Sequence, residues 1–366
     1  MKTISGAGPR RVPARWTRRL AALLGGAALA AVLAACGSAG AAPSASGGGP
    51  PAGGSTGVTI GKAVDTIGFT TVDVAKAEGY FAKAGLNVNE DLLSGSSTAF
   101  AALESGSVNF ACASSTALIS AKTKGLPLEA VASLDYGVSL QLLVSDNWIK
   151  AHHMSPDQPL GTVMREMVGA KLGVISTTDL TYDHYMEQQA GVSTSAFTYI
   201  NMDSQSAAIS AVKYGEIDAF LLSPPSTYYA QSQGNAQVIA TLHEVPELAN
   251  MAYDILVVDS AWAKTHQSEV EAVAGAMAEA DNVMSGSPQA VLNTEKTHYP
   301  TMTTSILLDS LHNVTFTKNG EFTPAMWQEA LKEYNQTSTA GPANVDVSAS
   351  SGVWTNQYIQ QSKLSG

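Results

Sequence analysis

Hydrophobic and polar positions change period repeatedly along this chain, and the changes mark its elements. Val58–Gly61 predicts a short strand, Asp65–Thr70 a polar turn and Thr71–Ala77 a helix. Gly85 then suits the left-handed position just past a helical turn, with Leu86 folding back, and Asn87–Leu93 is a second strand. The stretch Ser94–Ala117 organises the rest of the chain. It opens on a hydroxyl-rich turn, Ser94–Thr98, and continues with Ala99, Phe100 and Leu103 at helical spacing. Gly106 stops that helix, and Val108–Ala113 is an apolar strand ending in a second hydroxyl turn, Ser114–Thr116. Leu128–Leu134 and Leu140–Val144 read as strands, and Asp146–Gly161 as a polar surface connection. The pattern then restarts with a strand at Lys171–Ile175, a turn at Ser176–Leu180, a helix at Thr181–Ala190 and a strand near Phe197–Ile200.

The organising stretch recurs at Asp203–Thr227 with a constant offset of 109 residues. At that register Ser97 meets Ser206, Ala99 meets Ala208, Leu103 meets Val212, Gly106 meets Gly215 and Val108 meets Ile217. A repeated supersecondary unit points to two similar halves. Rapid alternation of strands and helices implies mainly parallel sheets covered by helices. Ile255–Val258 echoes Leu142–Val144; each run ends near an Asp (Asp146, Asp259) followed by a Trp (Trp148, Trp262), and the pair reads as two crossings between lobes. The expected fold is therefore α/β and two-lobed, with lobe 1 at 58–145 and 256–366 and lobe 2 at 146–255. Val270, Val273, Met277, Ala280 and Met284, and later Trp327, Ala330, Leu331 and Tyr334, step at three and four and predict helices with one buried face.

The N-terminus adds a compartment. Lys2 and five arginines precede the charge-free run Leu20–Ala35, a secretory signal shorter than a comfortable membrane span. It ends in Leu33-Ala34-Ala35-Cys36, so residues 1–35 are expected to be removed and Cys36 lipidated. The rival use of Cys36 is a disulfide with Cys112, which export permits. Residues 37–57, nearly all Gly, Ser, Ala and Pro, cannot bury enough apolar surface to fold and serve as a tether. Losing the signal removes six of 20 Lys/Arg and leaves 14 against 31 Asp/Glu, a formal charge of −17. Such acidity excludes nucleic acid and anionic lipid surfaces as partners.

Val74-Ala75-Lys76-Ala77-Glu78-Gly79-Tyr80-Phe81 with Gly85-Leu86-Asn87-Val88, Gly169-Ala170-Lys171-Leu172-Gly173-Val174 and Gly215-Glu216-Ile217-Asp218-Ala219 stand in this order behind a lipobox. With these motifs the chain resembles substrate-binding lipoproteins of ABC importers, in the branch for nitrate, sulfonates, taurine and thiamine-pyrimidine precursors. The resemblance implies a periplasmic-binding-protein-like fold, a monomer held outside the cytoplasmic membrane, one small solute captured by hinge closure, and a membrane permease as partner. It implies no cofactor or metal. Asn109 stands where the second copy has Asp218.

The cleft turns carry no Lys or Arg. Their hydroxyls, beside helix N-termini with unpaired N–H groups, supply the hydrogen bonding. Ser96, Ser97, Ser115, Thr116, Ser176, Thr177 and Thr178 are the candidate polar contacts, capping being their competing role. Phe69, Tyr136 and Tyr253 are candidate ring covers, and Asp65 and Asp203 candidate acceptors, with Asp179 and Tyr182 weighed beside them. The ligand is an oxyanion or a neutral to weakly cationic heterocycle. Enzyme motifs are absent: no Gly-x-Ser-x-Gly, no His-Glu-x-x-His and no Cys-x-x-Cys, while Ser210–Lys213 falls mid-helix and His152-His153 on a surface connection. The alternatives are a sensor lipoprotein without transport and a thiamine-pyrimidine-synthase-like enzyme.

Overall fold

The computed structural model describes residues 55–156, 158–338 and 341–363. The signal, Cys36 and most of the tether lie outside the described residues. In chain order the strands are β1 (Thr56–Lys62), β2 (Leu86–Leu92), β3 (Phe110–Ser114), β4 (Leu128–Ser133), β5 (Asp135–Tyr136) and β6 (Gln141–Ser145). They continue with β7 (Lys171–Val174), β8 (Thr198–Asn201), β9 (Ala219–Leu222), β10 (Ala236–Thr241), β11 (Asp254–Asp259) and β12 (Thr315–Phe316).

Ten of these strands form two five-stranded sheets, ordered β2-β1-β3-β11-β4 and β8-β7-β9-β6-β10. The orders are equivalent. In each sheet the first three strands pair in parallel and the fourth runs against its neighbours, β11 in one and β6 in the other. The result is a two-lobed periplasmic-binding-protein-like fold of the α/β class. Each crossing strand becomes the reversed strand of the sheet it enters. Residues 141–145, expected with the first lobe, therefore pair in the second sheet. The reason is packing: β6 and β11 are almost wholly buried, as befits strands flanked by neighbours on both edges. Edge strand β2 instead alternates buried Leu86 and Val88 with exposed residues and ends in charge, which blunts the free edge.

The two copies of the repeat fold alike. Helix Ser96–Glu104, Gly106 at φ 71° and β3 form one; helix Gln205–Tyr214, Gly215 at φ 75° and β9 form the other. Only glycine takes such φ values without steric cost. Three local expectations change. Helix Thr177–Ala190 starts inside the expected Ser176–Leu180 turn, because Ser176 and Asp179 form a reciprocal capping box. The Asp146–Gly161 connection holds helices Asp146–His152 and Leu160–Glu166, the first capped by Ser145. His152 stacks on Trp148 within that first helix, so His152 and His153 do not share a loop.

Helix Gln267–Gly286 buries Val270, Val273, Met277, Ala280 and Met284 against the first lobe. Helix Thr304–His312 packs on Ser226–Ser232 of the second lobe, and Pro324–Thr337 touches both Ser115–Thr123 and Thr177–Ala190. The C-terminal third thus braces both lobes. Cys112 is a buried free thiol in β3. Among the described residues, no helix is long and apolar enough to cross a membrane.

Candidate functional site

The C-terminal ends of the parallel strands and the helices that follow them meet between the sheets around a cavity of about 40 Å³. At ~10–15 Å³ per water, that is room for roughly three. From the first lobe come Thr66, Phe69, Ser96, Ser114, Tyr253 and Asp254; from the second, Ser176, Thr178, Asp179, Gln205 and Ser223. The lobes touch across it. Ser114 Oγ lies 3.4 Å from Thr178 Oγ1, and Gln205 Nε2 donates to the Asp65 carbonyl at 3.0 Å. Thr66 Oγ1 and the Ile67 N–H both donate to the Pro224 carbonyl at 3.1 Å.

Three of the helices that start at this cavity differ in what occupies their first turn. Ser114 caps Ser115–Thr123, its Oγ accepting from the Ala117 N–H at 3.4 Å. The Ser176–Asp179 box closes Thr177–Ala190. Gly95, at the head of Ser96–Glu104, offers no side-chain cap, so the first N–H groups of that helix and its positive dipole end stay open. Gly95 also sits face to face with Ser176 of the other lobe, where an ideal Cβ would lie 3.6 Å from the Ser176 Cβ.

The cavity's charge is acidic. Asp179 accepts from the Ile175 and Ser176 N–H groups at 3.0 and 2.9 Å and from Ser176 Oγ at 3.0 Å. Burial pushes its carboxyl up to about 6 against the pull of those bonds. Asp254 stands on the opposite wall beside Asp135, whose Oδ1 accepts from the Asp254 N–H at 2.8 Å. Burial raises both carboxyls, and Asp254 raises Asp135 further. No Lys, Arg or His lines the cavity. The nearest buried cation, Lys62, is committed to Asp73 at 3.0 Å and Glu90 at 2.9 Å; burial opposes its charge, yet these partners push it up to about 12. Among the described residues no group of three or more His, Cys, Asp or Glu side chains could hold a metal ion.

The sequence model of the family described as NMT1/THI5 like matches residues 66–291, the span that supplies all but Ala63 and Val64 of this cavity's lining. The chain belongs to the NMT1/THI5-like family. No curated protein matches it. Among solved structures, a protein of Bordetella bronchiseptica RB50 is similar with a TM-score of 0.72 and 19% identity, over 85% of this chain and 98% of that one. The periplasmic nitrate-binding protein NrtA of Synechocystis PCC 6803 has a TM-score of 0.67 and 16% identity, over 85% and 89%. The alkanesulfonate-binding protein SsuA of Xanthomonas axonopodis pv. citri, bound to MOPS, has a TM-score of 0.62 and 13% identity, over 80% and 98%.

In this NMT1/THI5-like chain the residues singled out from sequence fall into four groups. Phe69, Ser96, Ser176, Thr178 and Tyr253 line the cavity. Thr116 and Thr177 line a separate hydroxyl-rich cavity of about 100 Å³, of which Thr178 forms a shared wall. Ser115 donates its hydroxyl to the Ala252 carbonyl and is wholly buried. The rest lie elsewhere. Ser97 and Asp203 are exposed, the first because it is turned about 100° away from the inward face that Ser96 and Ala99 share. Tyr136 pairs with Thr315 in the small β5–β12 sheet. The Asp65 side chain accepts from Tyr299 Oη at 2.8 Å and His298 Nε2 at 3.0 Å. His298 also places Nδ1 3.0 Å from Asp73, and the bonds to Asp65 and Asp73 push it up to about 10. Asp65 therefore anchors its loop and lends the cavity edge only its carbonyl.

Ser114, Gln205, Ser223 and Asp254 were missed as ligand candidates. The repeat itself carried the signal for three of them: at the 109-residue register Ser96 matches Gln205 and Ser114 matches Ser223, and all four line the cavity. Asp254 had no such marker, being one acidic residue at the mouth of an apolar strand.

Proposed function

We propose that this chain is the extracytoplasmic solute-binding component of an ABC-type importer, lipidated at Cys36 and working as a monomer with a membrane permease. It captures one small organic solute by rotation of the lobes about the β5–β6 and β10–β11 connections and acts by binding, without turnover. Lobe 1 holds both ends of the folded chain and lobe 2 the middle. The observation that carries this reading is the closed cavity made from equivalent positions of both lobes and latched by hydrogen bonds from 65–67 and Ser114 to Gln205, Pro224 and Thr178. A site divided between lobes opens when they part, so a solute that bridges both walls stabilises closure. The nitrate- and sulfonate-binding relatives in fold make solutes of that size the first to try.

Small-angle scattering tests it together with a thermal-shift screen of nitrate, sulfonates, taurine, aminopyrimidines and flavins. A binding solute is expected to raise the melting temperature and favour the compact form. A saturating ligand that leaves the scattering profile of an open population unchanged removes hinge closure, and a screen without any binder removes the receptor reading.

A further inference from the structure

We infer that Asp254 is the specificity-determining acceptor of the site and that the captured solute bears a cationic N–H group, an ammonium, amidinium or guanidinium, placed against it. The inference rests on the solute-binding reading and names the chemistry of that same cavity. Asp254 forms part of the cavity wall and is 4% exposed. Among the described residues no N–H or O–H of another group donates to its carboxyl, and its Oδ2 is buried beside Asp135 Oδ2 under Gly68. A buried carboxyl left without donors is costly, and native interiors keep such groups where something else completes them.

The surroundings supply nothing to complete it. Gly68 presses on the pair from the loop above, with the site of its ideal Cβ overlapping Asp254 Oδ2 and lying 2.8 Å from Asp135 Oδ2. Asp281, whose own carboxyl burial raises, brings no donor either: among the described residues its one hydrogen bond is accepted from Thr71 Oγ1 at 2.8 Å. The cavity's other acid, Asp179, is already satisfied by its own helix. The open donors, at the uncapped start of Ser96–Glu104, belong to helix N–H groups, which suit an acceptor on the same solute. A cationic donor at one end is thus the group that the Asp254 wall lacks, and an anion of the same shape placed there meets only like charge.

The test is calorimetric titration of the full chain with matched pairs that differ by the cationic nitrogen: acetamidinium against acetate, β-alanine against propionate, and 2-aminoethanesulfonate against ethanesulfonate. In at least one pair the nitrogen-bearing member is expected to bind tenfold or more tightly than its partner, and Asp254→Asn is expected to level that ratio. Asp135→Asn, which leaves the wall carboxyl in place, is expected to keep the preference. Because the ratio is read first on the unaltered protein, it stands even if a variant fails to fold. Equal or tighter binding of the anions, a preference untouched by Asp254→Asn, or no binding by any pair overturns the inference. If in those cases the broad solute screen still finds a binder, the receptor reading survives alone.

Discussion

Two buried carboxylates face one cavity from opposite lobes, and they behave differently. Asp179 spends its lone pairs on the start of its own helix, with three donors within 3.0 Å. Asp254 sits at the start of β11 with only another acid beside it. The first is a fold device that happens to line a cavity; the second leaves chemistry unfinished. Position on a cavity wall therefore does not identify a ligand group. Unspent hydrogen-bonding capacity on that wall does.

That contrast can be broken most directly at Gly68. A methyl group there collides with both carboxyls of the first-lobe pair, and Gly68→Ala is expected to cost roughly 2–3 kcal/mol in chemical denaturation by overpacking. Unchanged stability would mean that the Asp254 wall yields easily and is not a shaped site. On the second-lobe wall, Asp179→Ala removes a capping box and is expected to cost about 1–2 kcal/mol. Once its folded fraction is matched to the parent, ligand affinity should be little altered; a large affinity loss at full folding would give Asp179 the role assigned here to Asp254.

The pH dependence sharpens the same comparison. Burial, the main cause in each case, raises Asp254, and pushes Glu295 and Glu333 up to about 8. The folded chain then holds protons that the unfolded chain releases above roughly pH 4. Stability from these groups is full below that point and is lost as pH rises toward 8, by about 1.4 kcal/mol per unit for each group that differs. His298, held near 10 by Asp65 and Asp73, adds loss in the same direction above about pH 6.5. The melting temperature should fall from pH 5 to pH 8, and fall less in Asp254→Asn; parallel curves for the two proteins would show that the wall acid does not titrate in this window. The smallest effect belongs to the cross-cleft hydroxyl pair. Thr178→Val removes the 3.4 Å contact to Ser114 without changing shape, and at about 0.5 kcal/mol should weaken any closing ligand about twofold by titration.

Much of this was legible in the residues. The 109-residue register located two helix–glycine–strand units, because Gly106 and Gly215 meet a backbone requirement that is local. It also carried the pairing of Ser96 with Gln205 and Ser114 with Ser223, since equivalent positions in equivalent units point to one gap. Hydroxyls were harder to place. Ser96 and Ser97 are chemically alike in sequence, yet one is buried on the cavity and the other exposed, a matter of where the helix begins.

By itself, then, the sequence determined the elements, their repetition and the two-lobed class, since periodicity, caps and glycines act over a few residues. Tertiary structure decided which sheet β6 and β11 join and which acids are satisfied. Strand partners and hydrogen-bond donors arrive from far along the chain: Asp135 meets Asp254 across 119 positions, and Asp65 meets His298 across 233. No local pattern records whether a carboxylate's donors have come.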